Sequence, residues 1–215
     1  MMVTDFIVQV VVSLTATLLA AMVVYIYRKV IAIKLQTWVL NRSGMGIVQI
    51  YKHRREAAPA IKTLLKEAQS VKLMAIKGVD IIEGRQAIDS ELVQVGNMRQ
   101  RKAKFLILDP NSHYVTRRAE EAGSKVEPHR KEIQHALETL AVLDEHVEEL
   151  SIEKRIYDFM PIWNLLFIDN VLFLSFYLKG VRGPESICLQ IRRPSPLFLA
   201  FNVYFDETWK KSTSG

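Results

Sequence analysis

From residue 6 to residue 27 the chain reads FIVQVVVSLTATLLAAMVVYIY, with no charged side chain and only Gln9, Ser13, Thr15 and Thr17 polar. As a helix rising about 1.5 Å per residue, such a run reaches roughly 33 Å against a hydrocarbon core of about 30 Å, so the pattern predicts one membrane-spanning helix. A signal peptide would open with basic residues and end at a small-residue cleavage site, and a core helix would carry a polar face; the run has neither. Asp5 precedes it and Arg28, Lys29, Lys34 and Arg42 follow. The positive-inside rule therefore predicts an outside N-terminus and a cytoplasmic remainder, a single-pass protein of the inner membrane. Ser13, Thr17 and Ala21 recur every four residues, a spacing that suits a close helix–helix seam.

Beyond a juxtamembrane stretch, the hydrophobic period switches back and forth between two and 3.6. Residues 46–51 predict a strand, 55–69 a helix with Ile61, Leu64, Leu65 and Ala68 on one face, 71–78 a second strand and 81–99 a helix interrupted by Gly84 and Gly96. Residues 102–110 (KAKFLILDP) carry the continuous apolar character of a buried parallel strand. Helices are predicted over 114–122 and 128–150, strands over 154–159, 163–169, 171–177 and 185–191, a last helix over 197–210 and an unstructured tail. Strands alternating with helices and then clustering predict a mixed α/β sandwich around one sheet. The expected organisation is an anchor over 1–29, a linker over 30–45 and a cytoplasmic domain over 46–211.

Charge adds a preference among partners. All 29 Lys and Arg lie beyond residue 27, as do 22 of the 23 acidic residues, so that portion carries +7 with His neutral. Such a surface attracts anionic lipid first, for a domain held against a membrane, and nucleic acid second. Cys188 is the only cysteine, which excludes an internal disulfide or a cysteine-cluster metal site, and the five histidines have no i, i+4 pairing. No phosphate-binding glycine loop, GxSxG or HExxH is present, and no cofactor is called for.

The stretch MPIWNLLFIDNVLFLSFY resembles the core of the phospholipase D superfamily, in which a strand bearing H-x-K-x-x-x-x-D turns into a following apolar strand. The resemblance covers residues 46–210 by order of elements and implies one half-repeat of that fold. Aligning Asp169 with the family acid puts Ile162 at the histidine nucleophile and Asn164 at the lysine. Isoleucine has no lone pair and asparagine no positive charge, so the resemblance implies a non-catalytic relative among prokaryotic proteins, acting in ligand or partner binding, sensing or scaffolding at the membrane. Because half-repeats of this fold commonly pair, it also implies a homodimer. Two alternatives stay open: a divergent phosphodiesterase on lipid or nucleic acid, and a membrane effector of a defence or stress system.

Outside that motif, the loop after the third predicted strand (Asp109 to His113) sits where α/β folds bind ligands. Asn111 and Ser112 there are explained by turn and N-cap chemistry, or else receive an anion at the helix start together with Arg117 or Arg118. Lys77 and Gly78, ending the second strand, belong to the same edge or to a solvated strand end. Arg99, Arg101, Lys102 and Lys104 form a basic run without interleaved aromatics, which reads as a solvated or lipid-facing surface. The ligand expected of these groups is an unknown protein or an anionic small molecule.

Overall fold

The computed structural model describes residues 18–25, 27, 28, 44–82, 101–146 and 150–214 of the 215-residue chain. The expected membrane span over 6–27 is corrected: among the described residues no helix is long and apolar enough to cross a membrane. Residues 6–17 and 26 of that run lie outside the described residues, as do residues 83–99 of the helix expected over 81–99. The fold class is therefore that of a mixed α/β sheet domain, and residues Gly44–Gly215 form it as one compact unit.

The elements are β1 (Ile47–Tyr51), a 3-10 turn (Arg54–Ala57), α1 (Ala58–Glu67), β2 (Ser70–Ala75), α2 (Val79–Ile82), β3 (Arg101–Leu108), α3 (His113–Glu121), α4 (Val126–His146), β4 (Leu150–Tyr157), β5 (Trp163–Ile168), β6 (Val171–Phe176), a second 3-10 turn (Gly183–Glu185), β7 (Cys188–Arg192), α5 (Pro196–Lys211) and β8 (Thr213–Ser214). All strands join one sheet in the order β1-β7-β6-β5-β2-β3-β4-β8, with β2, β3 and β4 parallel and the remaining pairings antiparallel.

Alternation along the strands decides which helix covers which face. On β4, Lys154 reaches the Leu137 carbonyl of α4 at 3.4 Å, whereas its neighbour Arg155 reaches the Trp209 carbonyl of α5 at 2.6 Å. The two helices therefore lie on opposite faces. Arg101, on the α4 face of β3, donates to the Lys66 carbonyl at 3.5 Å, which puts α1 beside α4. Under α5, Phe167 meets Phe198 and Phe205 edge-on at 5.5 and 5.9 Å, and Trp163 meets Phe201 at 5.3 Å. Phe198, Phe205 and Trp209 are all buried, each side chain contributing about 1.5–3 kcal/mol by removal from water. Facing them across the sheet, Ile61 and Leu65 of the α1 stripe read from the sequence are wholly enclosed, as are Ile133, Ala136 and Leu140 of α4.

Two boundaries differ from the periodicity. Leu150, expected to end a helix, opens β4 opposite Arg101, since an apolar residue satisfies either period. The tail expected to be unstructured forms β8, because Arg155 holds the Trp209 and Ser212 carbonyls alongside β4.

Candidate anion-binding site

Where β2 leaves the sheet, Gly78 adopts φ 75° and its carbonyl accepts the amides of Ile81 and Ile82 at 2.8 and 3.0 Å, turning the chain at once into α2. A side chain at that φ would be strained, so glycine permits the turn. The turn leaves Lys77 at the lip of a cavity of about 420 Å³. At the end of α3, Gly123 takes φ 65° and Ser124 N returns to the Ala119 carbonyl at 2.9 Å, closing the helix and reversing the chain into α4. The reversal brings Arg118, near the end of α3, and Lys125, His129 and Glu132, around the first turns of α4, to one cavity. A third wall is the strap after β6, whose Arg182 and Gly183 face the cavity. It is tied down at Gly180 N to the Glu121 carbonyl (2.9 Å) and through the Ser186 carbonyl to Arg54 N (2.7 Å). Glu185 adds an ion pair with Arg55 at 2.7 Å.

The floor is organised by Tyr177. Its hydroxyl accepts from Ile76 N and from Asn164 Nδ2, each at 3.1 Å, which leaves its own proton to donate. Its ring lies 5.2 Å from the Arg118 guanidinium, and Arg118 also donates to the Tyr177 carbonyl at 3.5 Å and to Glu121. Arg118 Nε is buried with no hydrogen-bond partner among the described residues.

Electrostatically the cavity is one-sided. Among the described residues Arg54, Lys77, Arg118, Lys125 and Arg182 line it together with Glu132, which pairs with Lys77, while Arg118 pairs with Glu121 outside the lining. Two of the cations are close to fully enclosed, Arg54 at 7% and Arg118 at 5% exposure. The N-terminus of the 21-residue α4 adds its dipole with the same sign. Burial and the Lys77 charge hold the His129 imidazole below its usual pKa; Glu132 opposes them and Arg118 reinforces them. His129 Nε2 is hydrogen-bonded to Ser124 Oγ at 2.6 Å. Among the described residues no group of His, Cys, Asp and Glu could hold a metal ion.

Of the residues picked out in the sequence, Lys77, Gly78, Arg118 and Asn164 meet in this cavity, and the other described ones do not. Ser112 is the N-cap of α3, accepting Tyr114 N at 3.1 Å, and Asn111 N donates to the Asp109 carboxylate at 2.7 Å, so turn and cap chemistry accounts for both. Arg117 projects outward beside Glu121. Of the two arginines expected to meet an anion at the start of α3, Arg118 turns to the cavity at the other end of that helix.

The basic run is corrected as a single surface. Arg101 is buried, Lys104 lies 5.0 Å over the Trp209 ring and pairs with Glu153 at 3.4 Å, and Lys102 is exposed; Arg99 lies outside the described residues. Strand alternation separates what adjacency in sequence suggested.

In the motif that carried the resemblance, Ile162 is half exposed and is not part of the cavity lining, while Asn164 is buried there. Asp169, five strand residues from Asn164 and so about 17 Å away, accepts the amides of Gln69 and Ser70 at 2.8–3.2 Å from a left-handed φ of 48°. It pins the β5–β6 turn to the α1–β2 connection. His129 and Lys77 stand beside the carboxylate of Glu132, not that of Asp169.

No protein-family model matches the chain. No curated protein matches its sequence. Solved structures that match include TrmBL2, an archaeal chromatin protein described as showing a novel mode of DNA binding, at 18% identity over 78% of this chain and 54% of that one, TM-score 0.43. They also include NucT from Helicobacter pylori (13% identity, 78% of this chain and 98% of that one, TM-score 0.46) and Nuc from Salmonella typhimurium, a phospholipase D family member (14%, 78% and 96%, TM-score 0.42). The chain spans about half the length of the first. Structural neighbours thus include phospholipase D family members; at these TM-scores the likeness decides nothing about chemistry.

Proposed function

We propose that this domain binds a phosphate-bearing anion in the cavity between β2, α3, α4 and the strap after β6, and that it does so without the phosphohistidine hydrolysis its sequence resemblance brings to mind. The observation that carries the reading is the gathering of five basic side chains around the cavity, where Arg118, though paired with Glu121, keeps a buried Nε with no hydrogen-bond partner among the described residues. Enclosed guanidinium forks are costly to desolvate and are best repaid by oxyanions, which they grip through paired N–H donors. The non-catalytic half is supported by Ile162 and Asn164, which supply neither the nucleophile nor the charge of the motif. Isothermal titration of the full chain with sulfate and pyrophosphate tests the binding half: saturable uptake by one site is expected, and its absence sinks the reading. Turnover of a phosphodiester through a covalent phosphohistidine at His129 would overturn the other half.

Glu132 pairs with Lys77 at the cavity and would compete with any incoming anion. Glu132→Gln is expected to tighten sulfate binding about three- to tenfold, the effect of freeing one partly screened charge. Glu132 is exposed, so the melting temperature should barely move, and unchanged or weaker binding would show that Lys77 does not serve the ligand.

Proton linkage supplies another expectation. A histidine whose native pKa lies below its unfolded value of about 6.5 adds stability that is complete above that value and is lost as pH falls through the interval below it. An anion in the cavity offsets the positive field on His129 and raises its pKa, so binding takes up a proton. Sulfate, which does not titrate in this range, should bind more tightly as pH falls below about 6.5, the gain reaching about tenfold for each pKa unit regained once the pH lies below the free protein's His129 pKa. Titration in buffers of different ionisation enthalpy reads the uptake directly, and His129→Gln should abolish it.

A further inference from the structure

We infer that a second cavity, where β3 and β4 leave the sheet beside α5, binds a small organic amine, its ammonium held at Asp109 and Asp158 and its body lying against Phe159 and Tyr204. The cavity measures about 480 Å³ and shares no lining residue with the first. A volume of about 300–1,000 Å³ takes a whole small ligand, and the carboxyl ends of parallel strands are where α/β folds receive one.

Register sets the two carboxylates side by side. β3 and β4 run parallel with Leu108 opposite Tyr157, so the next residue of each, Asp109 and Asp158, leaves the sheet at the same level. Asp109 N donates to the Tyr157 carbonyl at 2.9 Å and keeps the two ends together. Asn111 N occupies one Asp109 oxygen at 2.7 Å, and the carboxylate retains capacity to accept more. Among the described residues neither aspartate has an ion-pair partner, and Lys211, which lines the same cavity, pairs with neither. Adjacent like charges repel, and a cation between them removes the repulsion.

The rest of the lining agrees with that sign and adds a requirement for a body. Thr208 and Ser212 spend their hydroxyl protons on the Tyr204 and Thr208 carbonyls at 2.7 and 2.8 Å, so toward a ligand they can only accept. Tyr157 is buried and donates to the Ala75 carbonyl at 3.3 Å, and its ring fixes that of Phe159 at 4.7 Å. Phe159 and Tyr204 stay partly exposed at the cavity. Aromatic rings beside carboxylates suit an organic cation, whose charge and hydrocarbon both find partners there. A bare metal ion would leave the rings uncovered. A hard divalent cation also takes six or more oxygen ligands, and among the described residues no group of three acidic, His or Cys side chains could hold one.

Isothermal titration of the full chain with 2-phenylethylammonium, 3-phenylpropionate, ammonium and calcium ions supplies the test. The amine should saturate one site and bind about tenfold or more tighter than ammonium, the gain from covering the rings, with 3-phenylpropionate and calcium far weaker. Asp158 is exposed, so Asp158→Asn should melt with the parent, bind sulfate as the parent does and lose about tenfold in affinity for the amine. Phe159→Leu should lose several-fold of the advantage over ammonium. Lys211→Gln removes an opposing charge and should tighten the amine about threefold, whereas a site for anions would tighten on nothing negative after that change. Preference for calcium or for 3-phenylpropionate, no uptake of the amine, or an affinity for it that Asp158→Asn leaves unchanged would each overturn the inference, with the anion site judged separately by its own sulfate titration.

Discussion

Replacing Arg118 with alanine is expected to weaken binding of sulfate or pyrophosphate by about 100-fold or more, the usual consequence of deleting an enclosed, hydrogen-bonding charge. Arg118 stacks on Tyr177, lies next to the field around His129 and keeps Nε free of any protein partner among the described residues. Its removal also leaves the mostly buried Glu121 carboxylate with only a long contact to Arg117 at 3.4 Å. A stability loss of about 1–3 kcal/mol should therefore accompany the loss of affinity. Arg118→Lys separates the two effects, because it keeps the charge near Glu121 and loses the planar fork. It should melt close to the parent yet bind measurably more weakly. Titration alongside thermal unfolding of both variants checks this, and a folded Arg118→Ala protein with parental affinity would remove Arg118 from the site.

The second large effect falls on stability. Asp169→Ala removes the acceptor for the Gln69 and Ser70 amides and puts a residue poorly suited to φ 48° at the β5–β6 turn. Charge-assisted bonds to backbone amides, together with left-handed strain of about 1 kcal/mol, imply a loss of about 2–4 kcal/mol in urea unfolding. Asp169→Asn should lose about half as much, since asparagine tolerates the left-handed region and keeps one acceptor oxygen. Folded Asp169→Asn protein should bind sulfate as the parent does, because the residue stands at the far end of β5 from the cavity. A large loss of affinity without loss of stability would mean that Asp169 serves the ligand.

The reading of Asp169 shows where sequence reasoning stopped short. Its position in the motif and its place in an Asp-Asn turn were both legible in DNVLFL, and the turn proved to explain it, extended by bonds to a connection 99 and 100 residues away. Most strands were legible for a plainer reason: LMAI, FLIL, LLFI and VLFL are apolar runs that can only be buried. Lys77 and Arg118 were singled out, but each for a local reason, a strand end and a helix start. What drew them together was the crossing of two turns at Gly78 and Gly123, which no period reveals.

The missed residues have a common character. Arg54 sits in KHRRE, His129 in EPHRKE and Arg182 in a short loop, all sequences that read as solvated surface. The pairing of β1 with β7 draws the 3-10 turn against the strap, where Arg54 N is bonded to the Ser186 carbonyl and its side chain is buried. The membrane-spanning expectation failed differently: a hydrophobic run satisfies the composition of a span, but spanning needs an unbroken helix of sufficient length, and none is found among the described residues.

The most direct test of the account is where an anion settles. Crystals of the protein soaked in tungstate, a heavy tetrahedral oxyanion, should show an anomalous peak inside the cavity within hydrogen-bonding reach of the Arg118 and Arg54 guanidiniums. A peak only at the start of α3 or on scattered surface lysines, with the cavity empty at saturating tungstate, would contradict it.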